Sequence, residues 1–169
     1  MPILRGAATF ARFRVDVPGQ SPPDFKRTIP KGLRTQSFTP LDRGKPEDRA
    51  QGFVELEDVD ATEFTPGTVF QSTRALFAYR VDQFKVPSSL VRAELEKWAK
   101  NFELENERKP GRKEKSDAKE EIRFTIRQKA PIASKTFDVS WNLDEKRLYV
   151  WAASRKAIDE VQAAVEQAF

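Results

Sequence analysis

Residues 137–169 read FDVSWNLDEKRLYVWAASRKAIDEVQAAVEQAF, and the period of the pattern changes once within them. Phe137, Val139 and Trp141 alternate with Asp138, Ser140 and Asn142. After a turn holding Asp144 and Glu145, Leu148, Val150 and Ala152 alternate with Arg147, Tyr149 and Trp151. Alternation with a period of two is what a strand with one buried face requires. Beyond Ser154, a residue type that caps helices, Ile158, Val161, Val165 and Phe169 recur at helical spacing. The stretch is therefore a β-β-α unit. Two strands joined by a short turn pair antiparallel, and their apolar face needs a helix to cover it. The fold class that follows is α+β: antiparallel sheet with packed helices. The chain stops inside the last helical pattern, so a C-terminal extension is expected.

Working back from this unit, a central helical pair precedes it. Pro87 stops a strand over Arg74–Val86, and Ser88 or Ser89 is placed to cap the next helix. Val91, Leu95, Trp98 and Phe102 form that helix's apolar stripe to about Glu107. Pro110-Gly111 breaks the pattern, and a second helix runs from about Lys113 to Lys129 with Ala118, Ile122 and Ile126 along one line. Further back, Gly52–Glu57 reads as a strand and Pro40–Gln51 as a surface loop. Asp24–Thr35 reads as a short helix that Pro30 is expected to interrupt, and Pro18–Pro23 as a loop. Ile3–Val15 alternates with apolar residues on both faces, the pattern of an interior strand. The whole reads as a single α+β domain over residues 1–169, with 88–130 as a projecting, basic helical pair.

A chain of 169 residues with 13 Phe and 3 Trp can bury a core of ordinary size. No apolar run approaches the ~18–20 residues of a membrane span, and no membrane association is expected. With no Cys there is no disulfide framework, and a cytoplasmic location is the plainest reading. The absence of both His and Cys removes most zinc sites, thiol nucleophiles and histidine triads. No glycine-rich phosphate-binding motif is present. No cofactor is expected.

The formal net charge is only +4, but the cations are clustered. Glu107–Lys129 carries nine Lys/Arg against five Asp/Glu, and Met1–Arg49 carries ten against five. Lys115, Lys119, Arg123 and Arg127 are spaced four apart, so on a helix they form a slowly winding ridge. Arg108, Lys109, Arg112 and Lys113 precede them around Pro110-Gly111. Eight cations on one helical stretch suit a row of phosphates, since each neutralised phosphate releases condensed counterions. A bland reading competes: a solvated helix face with Glu105 paired to Lys109 and Glu120 to Arg123. Arg12, Arg14, Lys26, Arg27, Lys31 and Arg34 are candidates to extend the basic surface, though ordinary surface charge explains them as well.

The acids offer two candidate metal sites. Glu55, Glu57, Asp58, Asp60 and Glu63 fall in one loop, and Asp144-Glu145-Lys146 has the D-x-K spacing of some metal-dependent nucleases. A solvated acidic loop and a charged hairpin turn account for both. Trp98 fits a helix core. Trp141 and Trp151 read as packing residues ahead of base-stacking platforms, and the strand face that Tyr149 shares with Trp151 reads as covering a second layer ahead of a partner.

Several stretches in order resemble the RdgC family of recombination-associated bacterial DNA-binding proteins. They are Lys85-Val86-Pro87-Ser88-Ser89-Leu90-Val91, then Arg108-Lys109 with Arg112-Lys113-Glu114-Lys115 and Lys119-Glu120-Glu121-Ile122. Trp141 through Ile158, with Ala153-Ser154-Arg155-Lys156-Ala157, completes the main match. Phe10, Arg14, Ser37-Phe38-Thr39-Pro40 and Gly52-Phe53 are similar more loosely. The resemblance covers most of this chain but only the first part of a typical member. It implies a non-enzymatic, nucleoid-associated protein that binds double-stranded DNA with little sequence preference, forms dimers and modulates recombination alongside recombination proteins. With that expectation, the cations of the basic stretch, Arg108, Lys109, Arg112, Lys113, Lys115, Lys119, Arg123 and Arg127, are the candidate DNA contacts. The sequence departs from the family at Arg127-Gln128-Lys129-Ala130-Pro131, where Leu-Pro-Arg-Ala-Phe is common. Two other readings stay open: an assembly module with this fold and no DNA role, and a carboxylate-metal nuclease.

Overall fold

The computed structural model describes residues 9–16 and 24–169. In chain order its elements are β1 (Ala11–Arg14), α1 (Phe25–Thr35), β2 (Arg49–Val54), α2 (Pro66–Val69), β3 (Phe70–Gln71), β4 (Arg74–Phe84), α3 (Ser88–Asn106), α4 (Arg112–Lys129), β5 (Ile132–Asn142), β6 (Arg147–Trp151) and α5 (Arg155–Ala168). The described strands form one sheet in the order β1-β6-β5-β4-β2, with β3 paired to β4. Together with its helices the sheet is α+β, and it ends in the expected β-β-α unit. The residues divide into two compact units. One holds the chain to Pro40, Ala50–Val81 and Ser134–Phe169; the other holds Leu41–Arg49 and Asp82–Ala133.

In the first unit the alternation of residues 137–152 does what it predicted. Val139 pairs with Val150 and Trp141 with Leu148, while Asp138 faces Trp151 and Ser140 faces Tyr149. The first set turns to the core and the second to the opposite face. On the core side Val139, Trp141, Leu148 and Val150 meet Phe53, Phe77 and Tyr79 from neighbouring strands. Ile29 and Leu33 of α1 and Ala157, Val161 and Ala164 of α5 close over them. Phe53 is fully buried with its ring edge-on to Phe77 and Tyr79, both at 5.4 Å. Phe169, though 45% exposed, sets its ring against Trp141 at 5.4 Å. A smaller cluster of Phe38, Val54, Leu56 and Ala78 covers part of the other sheet face.

Gly52 marks a close backbone approach. A Cβ there would lie 2.5 Å from the Phe38 nitrogen and 2.6 Å from its Cα. The contact exists because Gln36 and Phe38 bond to both sides of Phe53, through Phe53 N–H to Gln36 O at 2.8 Å and Phe38 N–H to Phe53 O at 2.9 Å. Main chain cannot swing aside as a side chain can. Gly52→Ala is therefore expected to lower stability by about 1–3 kcal/mol, the usual cost of overpacking, read as a lower denaturant midpoint with an unchanged slope.

Several sequence expectations need correction. Pro30 does not interrupt α1; it is buried inside an unbroken helix, where packing of Ile29 and Leu33 outweighs one missing N–H. Neither Ser88 nor Ser89 caps α3. The cap position is Pro87, whose carbonyl accepts from Leu90 and Val91, and no side chain bonds there. Ser154 does hold the cap position of α5, yet its side chain makes no capping bond. The strand Gly52–Glu57 lies earlier, at Arg49–Val54. The interior strand read from Ile3–Val15 is described only from Thr9, and β1 stands at the end of the strand order with alternating half-exposed residues. The two-sided apolar pattern came largely from residues before Thr9, which lie outside the described residues, as does the Pro18–Pro23 loop.

Candidate nucleic-acid interface

The second unit is built on α3 and α4. Val91, Ala118 and Arg127 are the buried positions of the two helices, and Leu95, Trp98, Phe102, Ile122 and Ile126 are half-buried. The predicted apolar stripes thus exist but are only partly covered. Trp98 lies against Phe102 at 5.3 Å.

The link between the helices is held by one carboxylate. Glu107 takes a left-handed conformation (φ 54°) and ends α3. Arg108 then folds over Phe102, 4.9 Å from the ring, and donates to both oxygens of Glu114 at 2.9 and 2.6 Å. Glu114 also accepts the Gly111 N–H at 2.7 Å, satisfying a free amide at the start of α4. These donors, the Arg108 guanidinium first and the Gly111 amide second, hold the Glu114 carboxyl down at about 2. Because its folded-state pKa lies below the ordinary value, the stabilisation is present above about pH 4.5 and fades as pH falls toward 2. Glu114→Gln should therefore be less stable than the parent at neutral pH, and the difference should close on acidification through that window. Side-chain carboxyl NMR of Glu114 measures the same shift directly.

The eight predicted contact residues separate into three groups. Lys109, Arg112, Lys113, Lys115 and Lys119 are exposed and make no ion pair with a described residue. Arg108 is committed to Glu114, and Arg123 donates to Asp48, through Nε at 3.1 Å and through a second nitrogen. Arg127 does not belong to an exposed ridge at all. It is 3% exposed, bonded to the Arg43 carbonyl at 3.1 Å, to the Lys45 carbonyl and to Asp48. Its guanidinium also lies 5.6 Å from the Phe84 ring and 5.0 Å from Phe124. The four-residue spacing is real, but α4 turns the last cation of that series inward, where the segment 41–49 supplies acceptors. The pairs expected between Glu105 and Lys109 and between Glu120 and Arg123 do not form; Asp48 takes Arg123 instead.

Sequence reasoning missed Arg43 and Asp48. Arg43 donates to the carbonyls of Arg127, Gln128 and Ala130 at the end of α4, and lies 5.1 Å from the Phe84 ring. Asp48 also offers its carbonyl to the Phe84 N–H at 3.0 Å. The stretch Pro40–Gln51 looked like a polar surface loop, and residues some 80 positions apart carry no local signal of contact.

The five cations of the first group gather at the start of α4. Arg112, Lys115 and Lys119 recur at three and four residues and share a helix face, with Lys113 beside them. Arg112 to Lys119 spans about 10 Å at ~1.5 Å per residue. Cations in the first turn oppose the helix dipole, so they do nothing for the helix itself. What they supply is positive charge facing solvent, with exposed Asp117, Glu120 and Glu121 on the same helix.

Several of the other candidates have structural employment. Arg34 donates to the Glu63 and Phe64 carbonyls, each at 2.6 Å. Glu55 accepts from the Phe64 N–H and the Thr68 hydroxyl, Asp58 from the Asp60 N–H, and Asp60 pairs with Arg80. Glu145 lies 3.7 Å from Arg147 in the β5–β6 turn, and Lys146 there has φ 54°. Among the described residues no three acids gather as a metal site would need. No described helix is long and apolar enough to cross a membrane.

Residues 13–169 match a family model described as "Putative exonuclease, RdgC". No protein with a curated description matches the chain.

Proposed function

The chain belongs to the RdgC family, and from that premise we propose that it binds double-stranded DNA without catalysis and with little sequence preference, through the start of α4. Membership of the family suggests a recombination-associated DNA-binding role. The observation that carries the finer reading is the cluster of Lys109, Arg112, Lys113, Lys115 and Lys119. They are exposed and have no ion-pair partner among the described residues, and Arg112 and Lys113 stand in the first turn, where the helix gains nothing from them. Flexible Lys and Arg around a helix start contact phosphates, which set position and not sequence. Leu90, Leu104 and Phe124, the exposed large apolar residues of the pair, offer no ordered array for reading base edges. A homodimer and contacts with recombination proteins belong to the same proposal, as does residence on the nucleoid.

The test is a salt titration with a random-sequence duplex. Five phosphate contacts give a log–log slope of about −4 to −5. A slope near zero refutes the reading. The family description favours a second one, exonuclease action. Of the acids in residues 55–63, Glu55, Asp58 and Asp60 are taken up in hydrogen bonds and an ion pair, which weighs against their holding a metal. Incubation of linear duplex with Mg²⁺ or Mn²⁺ decides between them: intact ends after long incubation support binding alone, and progressive shortening that survives repurification supports the nuclease.

A further inference from the structure

On the face of the first unit's sheet away from α1 and α5, the described residues of β1 and β6 are aromatic and cationic. Arg12 pairs across to Tyr149, which pairs to Ser140; Arg14 pairs to Arg147, which pairs to Asn142. Residues directly opposite in an antiparallel sheet share a face, so Arg12, Arg14, Arg147, Tyr149 and Trp151 all stand on the side away from the core. Phe10, 47% exposed, completes an aromatic group, its ring 5.6 Å from Tyr149 and 5.0 Å from Trp151. Trp151 is fixed by its Nε1–H, which donates to Ser140 Oγ at 3.1 Å. Arg74 lines the same hollow from β4. Lys146 joins Arg12, Arg14 and Arg147 along its margin. Two exposed acids sit among these cations, Asp16 on Arg14 and Glu145 on Arg147, so the surround stays positive.

We infer that this face is a stacking platform for a single-stranded nucleic acid. The argument is complementarity on two counts. Tyr149 and Trp151, half-buried on β6, and the more exposed Phe10 beside them offer rings to unpaired bases, which a duplex cannot present while its bases are stacked. Arginines along the rim meet the backbone that must run beside those bases. Packing alone does not require five cations around an aromatic group. The platform is distinct from the α4 cluster in residues, in unit and in ligand, so either can fail without the other.

The experiment uses the full chain, an eight-residue oligo(dT) and an abasic deoxyribose-phosphate strand of equal length and charge, with binding read by fluorescence anisotropy. Oligo(dT) should bind at least about tenfold more tightly than the abasic strand. Trp151→Ala or Tyr149→Ala should weaken oligo(dT) binding by about 5- to 100-fold per ring and leave the abasic strand unaffected, while Trp151→Phe keeps most of the affinity. Exposed Arg12→Glu should weaken both strands. Reversing the α4 cations should leave the oligo(dT)-to-abasic ratio unchanged. Equal binding of the two strands by the parent protein overturns the inference, whatever the variants' folding. So does retention of the ratio in folded Trp151→Ala, as judged by thermal melting.

Discussion

Arg127→Ala should lower the stability of the second unit by about 3–5 kcal/mol, the range for breaking a buried charged pair on one side. The side chain is 3% exposed and is gripped from several directions. Its removal strands the Asp48 carboxylate beside Arg123 alone, and leaves the carbonyls of Arg43 and Lys45 without their donor. It also opens a void between the rings of Phe84 and Phe124. Arg127→Lys recovers little, since a point charge cannot reproduce a planar fork that reaches three acceptors. Arg123→Ala, at a side chain 53% exposed, should cost under about 1 kcal/mol. Urea unfolding followed through Trp98, the tryptophan of this unit, measures all three. An Arg127→Ala protein within about 0.5 kcal/mol of the parent would show that the buried guanidinium is not a structural member.

Reversal of Lys109, Arg112, Lys113, Lys115 and Lys119 to Glu should reduce duplex affinity by about 10²–10³-fold near 0.1 M salt and bring the salt slope close to zero. The size follows from losing five counterion-releasing contacts and placing like charge against phosphate. These side chains are exposed and unpaired with any described residue, so the fold should survive the change. Acids at the first turn of α4 are, if anything, favoured by the helix dipole. The comparison is Arg155→Glu with Lys156→Glu on α5, where the cations are paired to Asp159 and Glu160; there the slope should hold. If both sets of reversals act alike, charge in bulk and not the α4 cluster drives binding.

The parts of the molecule legible in sequence were those whose signal is local. The strand pair 137–151 announced itself by alternation, because one buried face imposes a period of two. The helices α3 and α4 were found to within a residue or two from Pro87, Gly111 and Pro131, which act on their own neighbours. What failed depended on partners far along the chain. Nothing near Arg127 distinguishes it from Lys119, and only the acceptors of residues 43–48 separate a buried arginine from a solvated lysine. Pro30 misled because its penalty is local while the packing that outweighs it is not. The placement of the cations was legible in the same measure: those around the start of α4 are exposed along the helix as their spacing predicts, whereas Arg108, Arg123 and Arg127 are claimed by Glu114 and Asp48.

The grip of Arg43 and Asp48 on the end of α4 has a bearing on how this protein can be dissected. The basic helices are contiguous in sequence, yet the unit they belong to is not, since it closes only when residues 41–49 return across a gap of more than 30 residues. An excised segment 82–133 would therefore carry the cations but leave Arg127 seeking its acceptors and the last carbonyls of α4 unmet. During synthesis the order is favourable, because the strap emerges first and waits for the helix. Grafting the helical pair onto another scaffold would reverse that advantage, and a graft that keeps its shape will need the strap brought with it.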